Sequence, residues 1–310
     1  MLVLYILLAL MGLLILLITG LYFMAFYAAP RPKKRGGKIN LPSGKVYLPY
    51  HDQMRHWVQT MRAMGGEEVS ITAHDGLRLC ARYYETKPSS TLEIMFHGYR
   101  GDAERDMSGG IERAFSHGRS CLIVDQRCSG LSGGHSISFG INEKQDCLSW
   151  VDYAVKRFPN RRIILTGISM GAATVLMAAG EKLPRNVVGV LADCGYSSAK
   201  AVIYHVIRSL HLPAEPLYPL VRLAGRIFGG FDIEKSRPVE AVKSCTVPVI
   251  FFHGEADDFV PCYMSRENFD ACPTRKMLVT IPGAGHGLSY PADKERYLTA
   301  LREFFPEDIG

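Results

Sequence analysis

Apolar and polar positions divide the chain into three stretches. Residues 2–29 carry no charged side chain and end in the aromatic residues Tyr22, Phe23, Phe26 and Tyr27. At about 1.5 Å of helical rise per residue, such a run is long enough to cross a bilayer core. Residues 30–66 then form a basic, Pro- and Gly-containing linker and lead-in, and from 67 onward short apolar runs alternate with amphipathic ones. His74-Asp75-Gly76 between two alternating runs predicts a β-hairpin, because Asp-Gly supplies the positive φ angles of a tight turn. Beyond it, strands are expected at 92–96, 121–125, 163–166, 187–192, 247–252 and 277–281. Helices are expected at 103–116, 143–157, 171–181, 263–271 and 293–304. That alternation predicts an α/β domain with a mostly parallel central sheet and helices on both faces. About fifty residues between the strands ending at 192 and starting at 247 break the rhythm. Their apolar spacing of three and four predicts amphipathic helices interrupted by Pro213, Pro216 and Pro219.

Composition changes this picture little. With 47% hydrophobic and 21% charged residues, the chain is globular rather than disordered. Five of its net six positive charges sit in one short run, Arg31, Lys33, Lys34, Arg35 and Lys38. The remainder is nearly neutral, which excludes the basic face that nucleic acid requires. The placement of those cations matters more than their number. Directly after an apolar span with no preceding Lys or Arg, they favour an uncleaved anchor with the following domain on the cytoplasmic side. Eight scattered cysteines, without Cys-x-x-Cys pairs or zinc-spaced partners, agree with a reducing compartment.

The chemistry lies at the carboxyl ends of the predicted strands. Gly167-Ile168-Ser169-Met170-Gly171 follows an apolar strand and opens a helical run, the context in which Gly-x-Ser-x-Gly forces a serine outward on a tight turn. A serine hydroxyl needs a base to take its proton and a carboxylate to orient that base. Asp257, after the strand at 247–252, and His286, after the strand at 277–281, supply both in the chain order Ser, Asp, His. Negative charge developing on a substrate carbonyl needs fixed N–H donors. Met170, next after the serine, and Tyr99, in His97-Gly98-Tyr99-Arg100-Gly101 after the first parallel strand, are the expected backbone donors. His97 in that loop is expected to shape it rather than move protons.

These motifs, together with Asp125-Gln126-Arg127 and Gly130-Leu131-Ser132, resemble the α/β-hydrolase superfamily. They are most similar to its membrane-anchored, serine aminopeptidase-like and monoglyceride-lipase-like bacterial members. The resemblance implies that Asp257, third after Gly254, is the acid and that its neighbour Asp258 is not. It also implies that 197–242 is a small helical cap inserted after the sixth strand and serving as a lid. Cys128 departs from the pattern, since relatives of this type commonly have glycine there. The expected organisation is thus an anchor at 1–29, a linker at 30–66 and a hydrolase domain at 67–310. The expected function is hydrolysis of a small-molecule acyl ester by Ser169, His286 and Asp257, with neither metal nor organic cofactor. A peptidase or thioesterase would use the same residues. An aminopeptidase would further need a cap carboxylate for the substrate amine, for which Glu215, Glu234 and Glu240 are available. A tethered binding protein on an inactive hydrolase fold is the non-enzymatic alternative.

Overall fold

The computed structural model describes residues 1–28, 37–87 and 89–306. Helix α1 (Leu2–Ala25) is followed by a 3-10 turn (Lys45–Tyr50) and α2 (His51–Met64). The hairpin β1 (Glu67–Thr72) and β2 (Arg78–Tyr84) comes next, then β3 (Thr91–Phe96), α3 (Ala103–Phe115), β4 (Ser120–Asp125), α4 (Ile141–Arg157), β5 (Arg162–Ile168) and α5 (Met170–Ala179). After β6 (Val187–Asp193) stand α6 (Ala199–Ser209), α7 (Ala214–Ala224), a π turn (Gly225–Gly229) and α8 (Pro238–Ala241). The chain closes with β7 (Val249–Gly254), α9 (Tyr263–Ala271), β8 (Lys276–Ile281), α10 (Ser289–Ala292) and α11 (Lys294–Phe304).

Among the described residues one eight-stranded sheet runs β1-β2-β4-β3-β5-β6-β7-β8. The β1/β2 and β2/β4 pairs are antiparallel and every other pair is parallel. Strands buried on both faces read as continuous apolar runs, and here successive side chains feed different cores. Ile163 and Leu165 of β5 join Trp150 of α4 and Leu176 of α5 on one face. Ile164 between them joins Ile250, Phe252 and the helix residues Met54, Tyr297 and Leu301 on the other. Glu93 of β3 is wholly buried, where Arg113 and Arg119 pair with it at 2.5 and 2.8 Å and the Thr166 hydroxyl donates to it at 2.9 Å.

Three features differ from the sequence expectation. The lead-in contains α2, whose Met54, Trp57, Val58 and Met61 form a buried stripe against α3, so it is part of the domain. Of the three prolines expected to interrupt the inserted helices, only Pro213 marks a helix boundary; Pro216 and Pro219 lie within α7. Proline is tolerated in a first turn, where the N–H has no helical partner, and the residues after Pro219 complete the helix despite it. Third, the last two turns of α1 do not stand apart from the domain. Ile18, Tyr22 and Phe26 are buried in a cluster with Val221, Ala224 and Phe231 of the inserted segment. Four of the five basic-run residues, Arg31, Lys33, Lys34 and Arg35, and the boundary expected at 29 lie outside the described residues.

Candidate active site

Strand β5 ends in a turn too tight for any side chain at two of its positions. A Cβ on Gly167 would lie 2.2 Å from the carbonyl carbon of Gly171, and one on Gly171 would lie 2.0 Å from the Phe96 carbonyl oxygen. Between them Ser169 takes φ +56°, a left-handed conformation that L-residues occupy only under constraint. Its N–H is held by the Asp193 carbonyl at 2.8 Å. Ser169 therefore stands at the carboxyl edge of the sheet with α5 starting behind it.

The loops after β7 and β8 bring the other two expected residues to it. His286 Nε2 lies 2.9 Å from Ser169 Oγ, and His286 Nδ1 lies 2.7 Å from Asp257 Oδ2. Asp257 Oδ1 accepts the backbone N–H groups of Phe259 at 3.0 Å and Val260 at 2.8 Å, which fixes the carboxylate plane. Burial alone would raise its pKa, but hydrogen bonds from His253 and His286 more than offset that and hold the carboxyl well below the usual range. Asp258 makes no such contact; its carbonyl oxygen is instead bonded to His205 at 2.7 Å.

Sequence reasoning gave His253 no role, yet its Nε2 is 3.2 Å from Asp257 Oδ2 and 2.7 Å from the Val260 carbonyl. Because a carbonyl only accepts, Nε2 carries a proton, and Nδ1 lies 2.6 Å from the Ser265 hydroxyl. Tyr47, also missed, donates to the His286 carbonyl at 3.0 Å. The His-Gly dipeptide before the acid was a visible signal for the first; Tyr47 sits in a stretch with no pattern to announce it.

The expected backbone donors flank the serine. Met170 begins α5, so its N–H is among those a helix leaves unpaired at its N-terminus. Tyr99 lies in a loop tied down on all sides. Asp106 Oδ2 accepts the Gly98 N–H at 3.0 Å, and the Tyr99 hydroxyl donates to the Ala25 carbonyl of α1 at 2.8 Å. Arg100 Nη2 reaches the carbonyls of Phe23 and Met24 in α1, at 3.1 and 2.8 Å, and of Tyr27 just beyond the helix, at 2.9 Å. The Gln126 N–H donates to His97 Nε2 at 3.1 Å while Nδ1 donates to the Gly98 carbonyl at 2.8 Å, so both ring nitrogens of His97 are engaged in loop contacts.

A cavity of about 180 Å³ opens at Ser169, walled by Tyr47, Trp57, Tyr99, Phe259, His286 and Tyr290 among others. Among the described residues no cap side chain lines it, which departs from the lid expectation. The cap packs on α1 instead. Glu215, Glu234 and Glu240 are engaged by Arg208, by Lys200 and Arg222, and by Arg237 and Lys243, respectively. The carboxylates that do line the cavity are occupied. Asp106 bonds Arg105 and Gly98, and Asp193 bonds Ser289 and Tyr297.

Cys194 Sγ, an Asp257 oxygen and a His286 ring nitrogen lie within 4.8 Å of one another. Burial pushes the Cys194 thiol well above its ordinary pKa, which keeps it protonated and a poor ligand, and Asp257 and His286 are already bonded to each other. The cluster is therefore poorly set up to hold a cation. Cys128, the expected departure, has φ +65°, the conformation that explains a preference for glycine at this position.

Known proteins resemble this chain in sequence and in fold. Residues 135–310 match the prolyl oligopeptidase family. The uncharacterized protein YqkD of Bacillus subtilis (strain 168) is 28% identical over 189 residues, 60% of this chain and 62% of that protein, so the match spans less than two thirds of that relative. The uncharacterized protein YfhR of Escherichia coli (strain K12) is 24% identical over 280 residues, 86% of this chain and 85% of its own. Among solved structures, the Pyrococcus furiosus esterase Pf2001 superposes with a TM-score of 0.64 at 24% identity, covering 80% of this chain and 94% of that one. Est1E from Butyrivibrio proteoclasticus, with ferulic acid bound, superposes with a TM-score of 0.58 at 25% identity, covering 78% and 99%. These likenesses share the α/β-hydrolase fold. With Ser169, Asp257 and His286 all inside a matched segment that covers more than half of its length, the chain belongs to the prolyl oligopeptidase family and is a serine hydrolase of the α/β-hydrolase type.

Proposed function

We propose that the chain is a membrane-anchored carboxylesterase working through Ser169, His286 and Asp257. The observation that carries the reading is His286 in hydrogen-bond reach of both Ser169 and Asp257, at 2.9 and 2.7 Å. In this mechanism His286 Nε2 takes the Ser169 proton as Oγ attacks the substrate carbonyl, and the backbone N–H groups of Tyr99 and Met170 receive the developing oxyanion. The protonated imidazole, stabilised by Asp257, then gives that proton to the leaving alcohol as the ester C–O bond breaks. Water, deprotonated by His286, attacks the acyl-enzyme, releasing the acid and restoring the Ser169 hydroxyl.

Ester is favoured over aminopeptide because the cavity offers a substrate amine no carboxylate that is not already engaged, among the described residues. Pf2001, which shares the fold, is an esterase, and that supports this choice. The family match favours a peptidase as second reading, since that family is named for one. α1 is long and apolar enough to cross a membrane. The cations after it favour a cytoplasmic domain by the positive-inside tendency.

Labelling of the full chain with a fluorophosphonate, then kinetics on p-nitrophenyl esters of rising chain length beside aminoacyl and prolyl p-nitroanilides, tests the assignment. Labelling that disappears in Ser169→Ala, with ester turnover dominating, is expected. Labelling retained in a folded Ser169→Ala protein would remove Ser169 from the mechanism, and turnover confined to anilides would replace esterase by peptidase.

A further inference from the structure

The way α1 is seated in the domain bears on where the bilayer surface lies. From Leu2 to Leu17 no residue of α1 is buried; from Ile18 onward the helix buries Ile18, Tyr22 and Phe26 against the cap. The bare portion rises about 24 Å, whereas a bilayer hydrocarbon core is about 30 Å thick. The shortfall of about 6 Å is one helical turn, so a bilayer that covers the bare portion also reaches the level of Ile18 to Tyr22. The cap stands at that level. The Phe228 ring lies 5.4 Å from that of Tyr22, and Gly225 would meet Phe26 if it carried a side chain. Beside these contacts Leu223, Ile227 and Phe228 are 39%, 58% and 44% exposed, and Phe23 and Met24 continue the apolar surface on α1 itself. Large apolar side chains grouped on one face mark an interaction site. The adjoining cations Arg222 and Arg226 have flexible stems and both pair with Asp232, so they can keep their heads in the polar layer.

We propose that Leu223, Ile227 and Phe228 insert into the lipid beside α1, so that the hydrolase domain rests on the bilayer through its cap rather than hanging from a linker. The partner is the acyl-chain region of the membrane. This rests on the membrane-anchored reading above, and the experiment separates the two.

Single tryptophans are introduced as Phe228→Trp, Leu10→Trp and Lys182→Trp, and each full chain is reconstituted in phosphatidylcholine vesicles with dibrominated acyl chains. Lys182 is exposed in the loop before β6, at the opposite end of the sheet from the active site. Trp57 and Trp150 are buried, so the wild-type protein supplies the background. Bromine quenches only indole that enters the hydrocarbon. Quenching at position 228 of roughly half or more of that at position 10, with little at position 182, is the expected result. Quenching at position 10 with position 228 behaving like 182 overturns the cap contact and leaves the anchor standing. Absence of quenching at position 10 overturns both.

Discussion

The seating of α1 makes a residue at the end of an apolar helix a determinant of domain stability. Phe26 is 0% exposed, with its ring edge-on to Phe139 at 5.9 Å and Phe231 at 5.2 Å. Truncating such a side chain loses its transfer energy and leaves a cavity, together about 3–5 kcal/mol. A domain's total stability is about 5–15 kcal/mol, so Phe26→Ala should remove a large fraction of it. Phe23, one turn earlier and 52% exposed, is the internal control; Phe23→Ala should cost less than about 1 kcal/mol. Both are measured in detergent by urea unfolding, followed through the fluorescence of Trp57 and Trp150. The expected outcome is a midpoint lower by about 1–2 M for Phe26→Ala and nearly unchanged for Phe23→Ala. Equal, small effects would mean that the domain is autonomous and α1 only a tether. That result would also undo the distance argument for the cap.

Other expectations follow from the site and the core. Asp257→Asn should lower turnover about 10⁴-fold by favouring the wrong imidazole tautomer, whereas Asp258→Asn should change it little; kcat on a p-nitrophenyl ester decides. Glu93 is pushed up by burial but held at about 2, from 4.5, by Arg113 and Arg119. A depressed folded pKa means stabilisation that is complete above about 4.5 and lost as pH falls toward 2. Glu93→Gln should therefore cost about 3–5 kcal/mol near neutrality, and its gap from the wild type should narrow by about 2 kcal/mol near pH 3 in urea titrations. Cys128→Gly should be tolerated, while Cys128→Val, β-branched at φ +65°, should cost about 2 kcal/mol or more by thermal unfolding.

The central sheet was legible because burial on both faces leaves unbroken apolar runs such as Ile163-Ile164-Leu165, each bounded by turn residues. The serine turn was legible because its geometry demands two glycines at fixed spacing. Pairing across distance was harder to read. The His-Gly dipeptide marked His253, but not that His253 shares the Asp257 oxygen used by His286, because that sharing depends on how the loops after β7 and β8 meet. Helix α2 is a different kind of miss. Its stripe of Met54, Trp57, Val58 and Met61 has helical spacing and was readable, but polar neighbours and the adjoining linker masked it. On periodicity the lid reading stood level with ordinary helix packing and resemblance raised it, and what α1 does to the cap surface could not be anticipated from either segment separately.

The bond from Arg100 to the end of α1 has an electrostatic consequence. Aligned peptide dipoles leave about half a negative charge at a helix C-terminus, carried by its unpaired carbonyls. Those of Phe23 and Met24, with the Tyr27 carbonyl just beyond the helix, point to the loop whose next residue back, Tyr99, faces Ser169. Left bare, that end would set an unscreened negative potential in a loop on the wall of the Ser169 cavity. The guanidinium covers it with a full positive charge, and Arg100 holds φ +51° to do so. One arginine thus lets a long helix end against a loop of the Ser169 cavity without leaving its negative pole bare.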